Sequence, residues 1–320
     1  LQFKRPQGSP WSLIGEHNDQ GATWLGSIRP ISGRDEKNLC LDLRTNEAPV
    51  HVRKIIVVCQ VFYPDTTSTS QLFQNLLRTL ATMGWDIHVL CGFPTETDPQ
   101  HSHIARKEVW NGISIRRCGL RIPLKKHSIY RALSYFSFLT SIFFQLLLFS
   151  PRCIWLGVTN PPLNAHIISI VAWIRRHHFQ YFFHDLYPEG LLGLGILSHS
   201  NPIVKLWLSL NRIAYHRASQ VFVLGRDMVP LLVQNYKLAP GRIIYIPHWS
   251  AVEPRIPISF NESKFVNEWG LTGKFVVQYS GNMGLWHDLN SLVQTACLLQ
   301  DEEDIQFVFI GAGVRKNTAM

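Results

Sequence analysis

The chain has 320 residues, 46% hydrophobic and 17% charged. That balance excludes wholesale disorder, and the length suits two domains of roughly 150 residues each. A net charge of +9 with a pI near 9.4 points to an anionic partner: a nucleic acid, a phosphorylated substrate or a membrane surface.

Residues 1–50 are rich in Gly, Pro, Ser, Asn and charge without a period. They are expected to form a poorly ordered extension, and the mixed, polar first twenty do not resemble a signal peptide. Ile55 to Cys59 is an apolar run of buried-strand type. The loop Gln60 to Ser70 leads into a helix over 71–83, where Leu72, Phe73, Leu76, Leu77 and Leu80 share one stripe. Gly84 closes that helix, and 85–91 is the next strand. This β–loop–α–β order opens a Rossmann-like half. Asn111-Gly112 predicts a hairpin within 104–118. A basic patch surrounds and follows it: Arg106, Lys107, Arg116, Arg117, Arg121, Lys125, Lys126 and Arg131, against the single acid Glu108.

Residues 132–151 carry no charge and approach the ~20 residues that cross a bilayer. Their hydroxyls and amide (Ser134, Ser137, Thr140, Ser141, Gln145, Ser150), the basic flanks at both ends and the strands on either side favour another reading. That reading is a helix packed on the sheet or dipping into the membrane surface. A strand follows at 153–158, and Pro162 suits the first position of a helix reaching about Arg176. The strand 179–183 comes next, then a helix over 202–216, a strand at 220–224, a helix at 227–236 and a strand at 242–246. Residues 247–270, opening with three prolines, read as an interdomain linker. A second α/β unit begins with the strand 275–279, a helix near 286–300 and the strand 305–310.

The six cysteines (40, 59, 91, 118, 153, 297) form no CxxC pair and no zinc spacing. Four lie in or beside apolar runs, a usage that suits a reducing cytosol. The strand 179–183 delivers His184, Asp185 and Glu189 into a turn containing Pro188 and Gly190. Ligands of open α/β sheets sit outside the carboxyl ends of the strands, and His is the side chain most easily tuned for proton transfer near neutrality. A hydrogen-bonded structural His is the competing reading. Asp185 and Glu189 also suit the N-terminus of the helix that follows.

Six blocks in order carry a family resemblance: QVFYPDTTSTSQLF (60–73), FHDLYPEG (183–190), VFVLGRDM (221–228), IYIPHW (244–249), VVQYSGNMG (276–284) and FVFIGAG (307–313). Together they resemble a GT-B glycosyltransferase of family 4, of the kind that builds bacterial cell-surface polysaccharide. The resemblance implies an α/β chain with two Rossmann-like domains: 51–246 for the acceptor, and 271–320 as the start of an incomplete nucleotide-sugar domain. It implies transfer from a nucleotide-diphosphate sugar to a hydroxyl of a glycan or lipid-linked acceptor, usually with retention and without a bound metal or further cofactor; no Asp-x-Asp motif occurs. A cytoplasmic protein, peripheral on the inner face of an anionic plasma membrane, fits that picture.

The resemblance places His184 near the transferred sugar, with Asp185 and Glu189 shaping the site. Thr67 and Ser68 fall in the loop that approaches the donor diphosphate, where hydroxyls replace the glycines of many relatives; a simple helix cap is the alternative. Gly281, Asn282 and Gly284, then Gly311 and Gly313, allow backbone approach to a phosphate, or make ordinary strand-end turns. Leu285, Trp286 and His287 stand where many relatives have Arg and Lys, so Arg315 and Lys316 are the candidates for the charge. Relatives continue with more βα units and a Glu-containing donor motif, so the isolated chain is expected to show little transferase activity. The rival readings are a non-catalytic domain that binds an acceptor or a membrane, and a GT-B epimerase or phosphorylase. Nucleic acid is discounted because no recognisable module accompanies the charge.

Overall fold

The structure, a computed structural model, describes residues 54–94, 104–121, 128–149, 153–250, 258–284 and 287–316. The 1–50 extension, Lys125, Lys126, Leu285 and Trp286 lie outside the described residues, as does the side chain of Arg131.

Ten strands and eight α-helices follow one another among the described residues. In chain order they are β1 (Lys54–Val58), α1 (Ser68–Thr82), β2 (Asp86–Cys91), β3 (Lys107–Trp110), β4 (Ile113–Arg117), α2 (Ser128–Leu148) and β5 (Ile154–Val158). Next come α3 (Asn164–Ile174), β6 (Phe179–Phe183), α4 (Glu189–Gly193), α5 (Pro202–Arg217), β7 (Ala218–Val223), α6 (Met228–Tyr236) and β8 (Ile243–Tyr245). The last are α7 (Lys264–Glu268), β9 (Phe275–Ser280), α8 (Leu289–Leu298) and β10 (Ile305–Ile310).

The first eight strands form one sheet in the order β3-β4-β2-β1-β5-β6-β7-β8. Every pairing in it is parallel except β3 with β4. Strand β1 lies between β2 and β5, so the order reverses there. In an open α/β sheet that reversal leaves a crevice outside the carboxyl ends. One side chain spans it: the amide Nδ2 of Asn164, fully buried, donates to the carbonyls of Val58 and Val158, each at 2.9 Å.

Successive residues of a strand face opposite sides. Ile56 and Val58 therefore belong to one core cluster with Ile142, Ile168, Ala214 and Leu232 of α2, α3, α5 and α6. Ile55 and Val57 meet α1, through Phe73 and Leu77. Gly84 takes φ of 86° after α1, as its sequence position predicts. Asn111 and Gly112, with φ of 48° and 78°, make the tight turn between β3 and β4.

Two expectations change and one holds. Helix α3 starts at Asn164 with Leu163 as its N-cap; Pro162 sits in the turn before it. The basic patch is not one solvated surface. Arg117 is buried, paired with Glu108 across the hairpin, and donates to the Ala105 and Tyr63 carbonyls; Arg116 donates to Gln145 of α2. Finally, no described helix is long and apolar enough to cross a membrane. Helix α2 turns Phe138, Leu139, Ile142 and Leu146 into the core instead.

Strands β9 and β10 form a separate, parallel two-stranded sheet.

Candidate active site at the strand ends

The carboxyl ends of β1, β5, β6 and β8 gather the site. Strand β6 is buried to its last residue, and His184 is the first side chain past it. Its backbone N–H donates to Thr159 Oγ1 at 3.0 Å, and that hydroxyl donates to the Phe182 carbonyl at 3.0 Å. The buried Thr159, at the end of β5, thus fixes the direction in which β6 leaves the sheet. The imidazole packs among rings: Phe182 at 5.2 Å, Phe73 of α1 at 5.5 Å and His248 at 6.3 Å between centroids. Its Nε2 is buried without a hydrogen-bond partner among the described residues. Burial first, and then the like charge of His248, push its pKa down to about 4. At neutral pH His184 is therefore an uncharged imidazole with one nitrogen directed into a partnerless space. Such a group can accept from a hydroxyl or donate to an oxygen, depending on the tautomer.

Asp185 reaches solvent, yet the protein around it raises its carboxyl above the usual range. It caps nothing: the N-cap of α4 is Pro188, with no side-chain capping bond. Glu189 stands in the first turn of α4 but is engaged elsewhere. Its carboxylate accepts from the Tyr236 hydroxyl, while buried Asn211 donates to Tyr236 Oη at 3.2 Å and to the Tyr187 carbonyl at 2.6 Å. This network ties the turn after His184 to α5 and α6. Glu189 thereby holds the turn that carries His184.

Thr67 is the N-cap of α1 but makes no side-chain capping bond. Asp65 accepts from the Thr67 N–H at 2.9 Å, a turn just ahead of the helix. The hydroxyl of Thr67 is left buried and unpartnered, as is Trp249 Nε1. Trp249 crosses Phe182 edge-on at 6.1 Å. His248 and Trp249 lie inside a stretch read as linker, so neither was assigned a role from the sequence. The IYIPHW block was the signal that could have found them.

Gly281, Asn282, Gly284, Gly311, Gly313, Arg315 and Lys316 are brought together as a second cluster, at the ends of β9 and β10. The Met283 N–H donates to the Ala312 carbonyl at 2.8 Å, and the Arg315 N–H to the Met283 carbonyl at 3.0 Å. A Cβ on Gly311 would stand 1.9 Å from the Gly281 carbonyl oxygen, and one on Gly313 would stand 2.4 Å from that of Met283. These two glycines are required for the loops to lie against each other. The guanidinium of Arg315 donates to the His287 carbonyl at 3.2 Å, and Lys316 is exposed. Among the described residues, no three His, Cys, Asp or Glu side chains group as a metal site would need.

A mostly parallel sheet with a polar cluster outside its carboxyl ends, followed by a second, two-stranded parallel sheet, is the GT-B class of architecture. The chain belongs to the glycosyl transferase 4-like domain family, whose sequence profile matches residues 69–249. It is 27% identical over 180 residues to a probable glycosyltransferase of Pseudomonas aeruginosa, WbjE, covering 53% of this chain and 44% of that one. It is 23% identical over 271 residues to the putative colanic acid biosynthesis glycosyl transferase WcaI of Escherichia coli K12, covering 81% of this chain and 66% of that one. The chain thus spans less than two thirds of the length of either relative. Among solved structures, Anabaena HepE in complex with UDP and glucose superposes with a TM-score of 0.51 at 12% identity, over 83% of this chain and 62% of that one. The catalytic domain of Arabidopsis thaliana starch synthase IV, bound to ADP and acarbose, gives 0.55 at 9% identity, over 82% and 68%. At such identities the likeness is one of fold.

Proposed function

We propose that this protein is a glycosyltransferase that passes a sugar from a nucleotide-diphosphate donor to a hydroxyl on a glycan or lipid-linked acceptor. The observation that carries the reading is the state of His184: neutral, packed by Phe73 and Phe182, with Nε2 buried and unpartnered at the end of β6. A buried polar atom without a partner costs stability, and an incoming sugar or acceptor hydroxyl would satisfy it. In the transfer, the bond from the anomeric carbon to the donor phosphate oxygen breaks and one to the acceptor oxygen forms. The nucleoside diphosphate leaves with the electron pair, and its freed phosphate oxygen takes up the acceptor's proton. His184 orients the sugar or the acceptor hydroxyl for that exchange. Retention and independence of a metal belong to the same proposal, as does a cell-surface polysaccharide product. The likeness to a putative colanic acid biosynthesis glycosyl transferase supports that last point.

The test is sugar transfer from a panel of nucleotide-diphosphate sugars by the whole gene product, wild type against His184→Ala. Turnover is expected to fall about 100-fold or more while thermal stability changes little. Equal loss of folding and turnover would return His184 to a structural residue. Absence of transfer with every donor would favour the rival, a non-catalytic domain that binds an acceptor.

A further inference from the structure

One face of the first sheet carries more exposed apolar surface than its fold requires. Helix α3 packs between α2 and α5, and the outer side of this three-helix layer is apolar. On α2, Ile129, Leu133 and Phe136 recur at helical spacing, with Phe136 65% exposed. On α5, Ile203, Leu206, Leu210 and Ile213 do the same, with Leu206 59% exposed. Ile170, Trp173 and Ile174 of α3 are exposed as well. Singly exposed apolar residues are ordinary, but a contiguous set on adjacent helices marks an interaction surface.

Within this face lies a groove of about 510 Å³, inside the range of ligand sites. Tyr135, Phe136 and Leu139 of α2 form one wall, and Leu206, Trp207 and Leu210 of α5 the other. Pro161 to Leu163 form its end. The topology fixes which end of the sheet this is. Helices that connect parallel strands run opposite to them. The groove uses the first halves of α2 and α5 and the turn that follows β5, so it lies toward the carboxyl ends, where His184 stands. Tyr187 confirms the proximity: its phenol is raised first by burial, then by Asp185 and by the groove residue Tyr135.

Charge identifies the occupant. Between Glu108 and Asp185 the sequence contains no acid, nor does it between Glu189 and Asp227. Those two stretches supply all three helices. Lys205, Arg212 and Arg217 of α5 and Arg176 beside α3 are exposed, and Arg217 stacks on Trp173 at 5.7 Å. An apolar face set in positive charge without acid matches the anionic surface of a bilayer. A second copy meeting this face through a two-fold axis would bring like charges together.

We propose that the α2–α3–α5 face docks on an anionic membrane and that the α2/α5 groove holds a hydrocarbon chain of the acceptor lipid, leading its head toward His184. The membrane contact stands on the face alone; the identity of the chain as the acceptor's rests on the transferase reading.

The experiment is co-flotation of the 320-residue chain with phosphatidylcholine vesicles, with and without phosphatidylglycerol, at low and high salt. Binding is expected only with phosphatidylglycerol, weakening with salt. It should fall about tenfold or more in Lys205→Gln/Arg212→Gln and comparably in Phe136→Ser/Leu206→Ser. All four side chains are exposed, so both variants should keep the wild-type circular dichroism spectrum. Vesicles with brominated acyl chains should quench tryptophan fluorescence, and Trp207→Phe should remove part of that quenching. Equal binding to neutral vesicles, or no change in either double variant, overturns the membrane proposal. Quenching unaffected by Trp207→Phe overturns the groove. A concentration-dependent dimer abolished by Phe136→Ser/Leu206→Ser would assign the face to a second copy. Vesicle binding without sugar transfer would sink the transferase reading alone; transfer to a water-soluble acceptor without vesicle binding would sink this one alone.

Discussion

Strands β1 and β9 have similar sequences and different surroundings. KIIVV in β1 is buried from Ile55 onward, while FVVQYS in β9 has no fully buried residue and leaves Phe275 69% exposed. Both are apolar, β-branched and parallel-paired. The difference is cover. β1 has a strand on each side and helices on both faces, whereas among the described residues β9 pairs only with β10. An apolar run therefore specifies a strand, and the neighbours decide whether it becomes core.

The sharpest way to break this contrast is a matched pair of truncations. Ile56→Ala, at a fully buried site, should cost about 2–5 kcal/mol, and Phe275→Ala less than about 0.5 kcal/mol, both read by denaturant unfolding. Similar costs would mean that β9 is covered in solution. Second, Glu108→Gln leaves the Arg117 guanidinium buried without its carboxylate and should cost about 3 kcal/mol. Asp86→Asn, which breaks the exposed pair with Lys54, should cost less than about 1 kcal/mol. Third, Gly311→Ala meets the Gly281 carbonyl and a φ of 152°. It should raise amide exchange at Met283 and Arg315 by an amount corresponding to about 1–3 kcal/mol and leave β1 exchange unchanged. The smallest effect is on pH. His184 titrates near 4 against an ordinary 6.5, so between those values the unfolded chain binds a proton that the folded chain refuses. Its contribution is complete above pH 6.5 and lost as pH falls toward 4, by about 1–2 kcal/mol after screening. His184→Gln should flatten that part of the stability profile.

Much of the first sheet was legible because its signals are local. The apolar runs, the Asn111-Gly112 turn and Gly84 each specify their own neighbourhood. His184 was legible from its block. The packing around it was not, since Phe73, Thr159 and His248 come from three other segments. His248 and Trp249 were hidden by the prolines around them, which read as linker. Glu189 shows the same limit: its partner Tyr236 stands 47 positions later, so no local signal reveals that this carboxylate holds the turn. The burial of Arg117 escaped for the same reason. A strand residue alternates inward or outward by register, and no composition rule puts an arginine inside.

That arginine also bears on how the sheet edge assembles. A hairpin such as β3–β4 closes within microseconds, and Arg117 finds Glu108 inside it. Besides Glu108 and the nearby Ala105 carbonyl, its guanidinium donates to the Tyr63 carbonyl, 54 positions earlier in the chain, in the loop after β1. A slip of one residue between β4 and β2 would turn Arg117 to the other face, away from that loop, and move Ile113 and Ile115 with it. A charge that can be satisfied inside in only one alignment thus proofreads the docking of a fast-forming edge onto a slower centre.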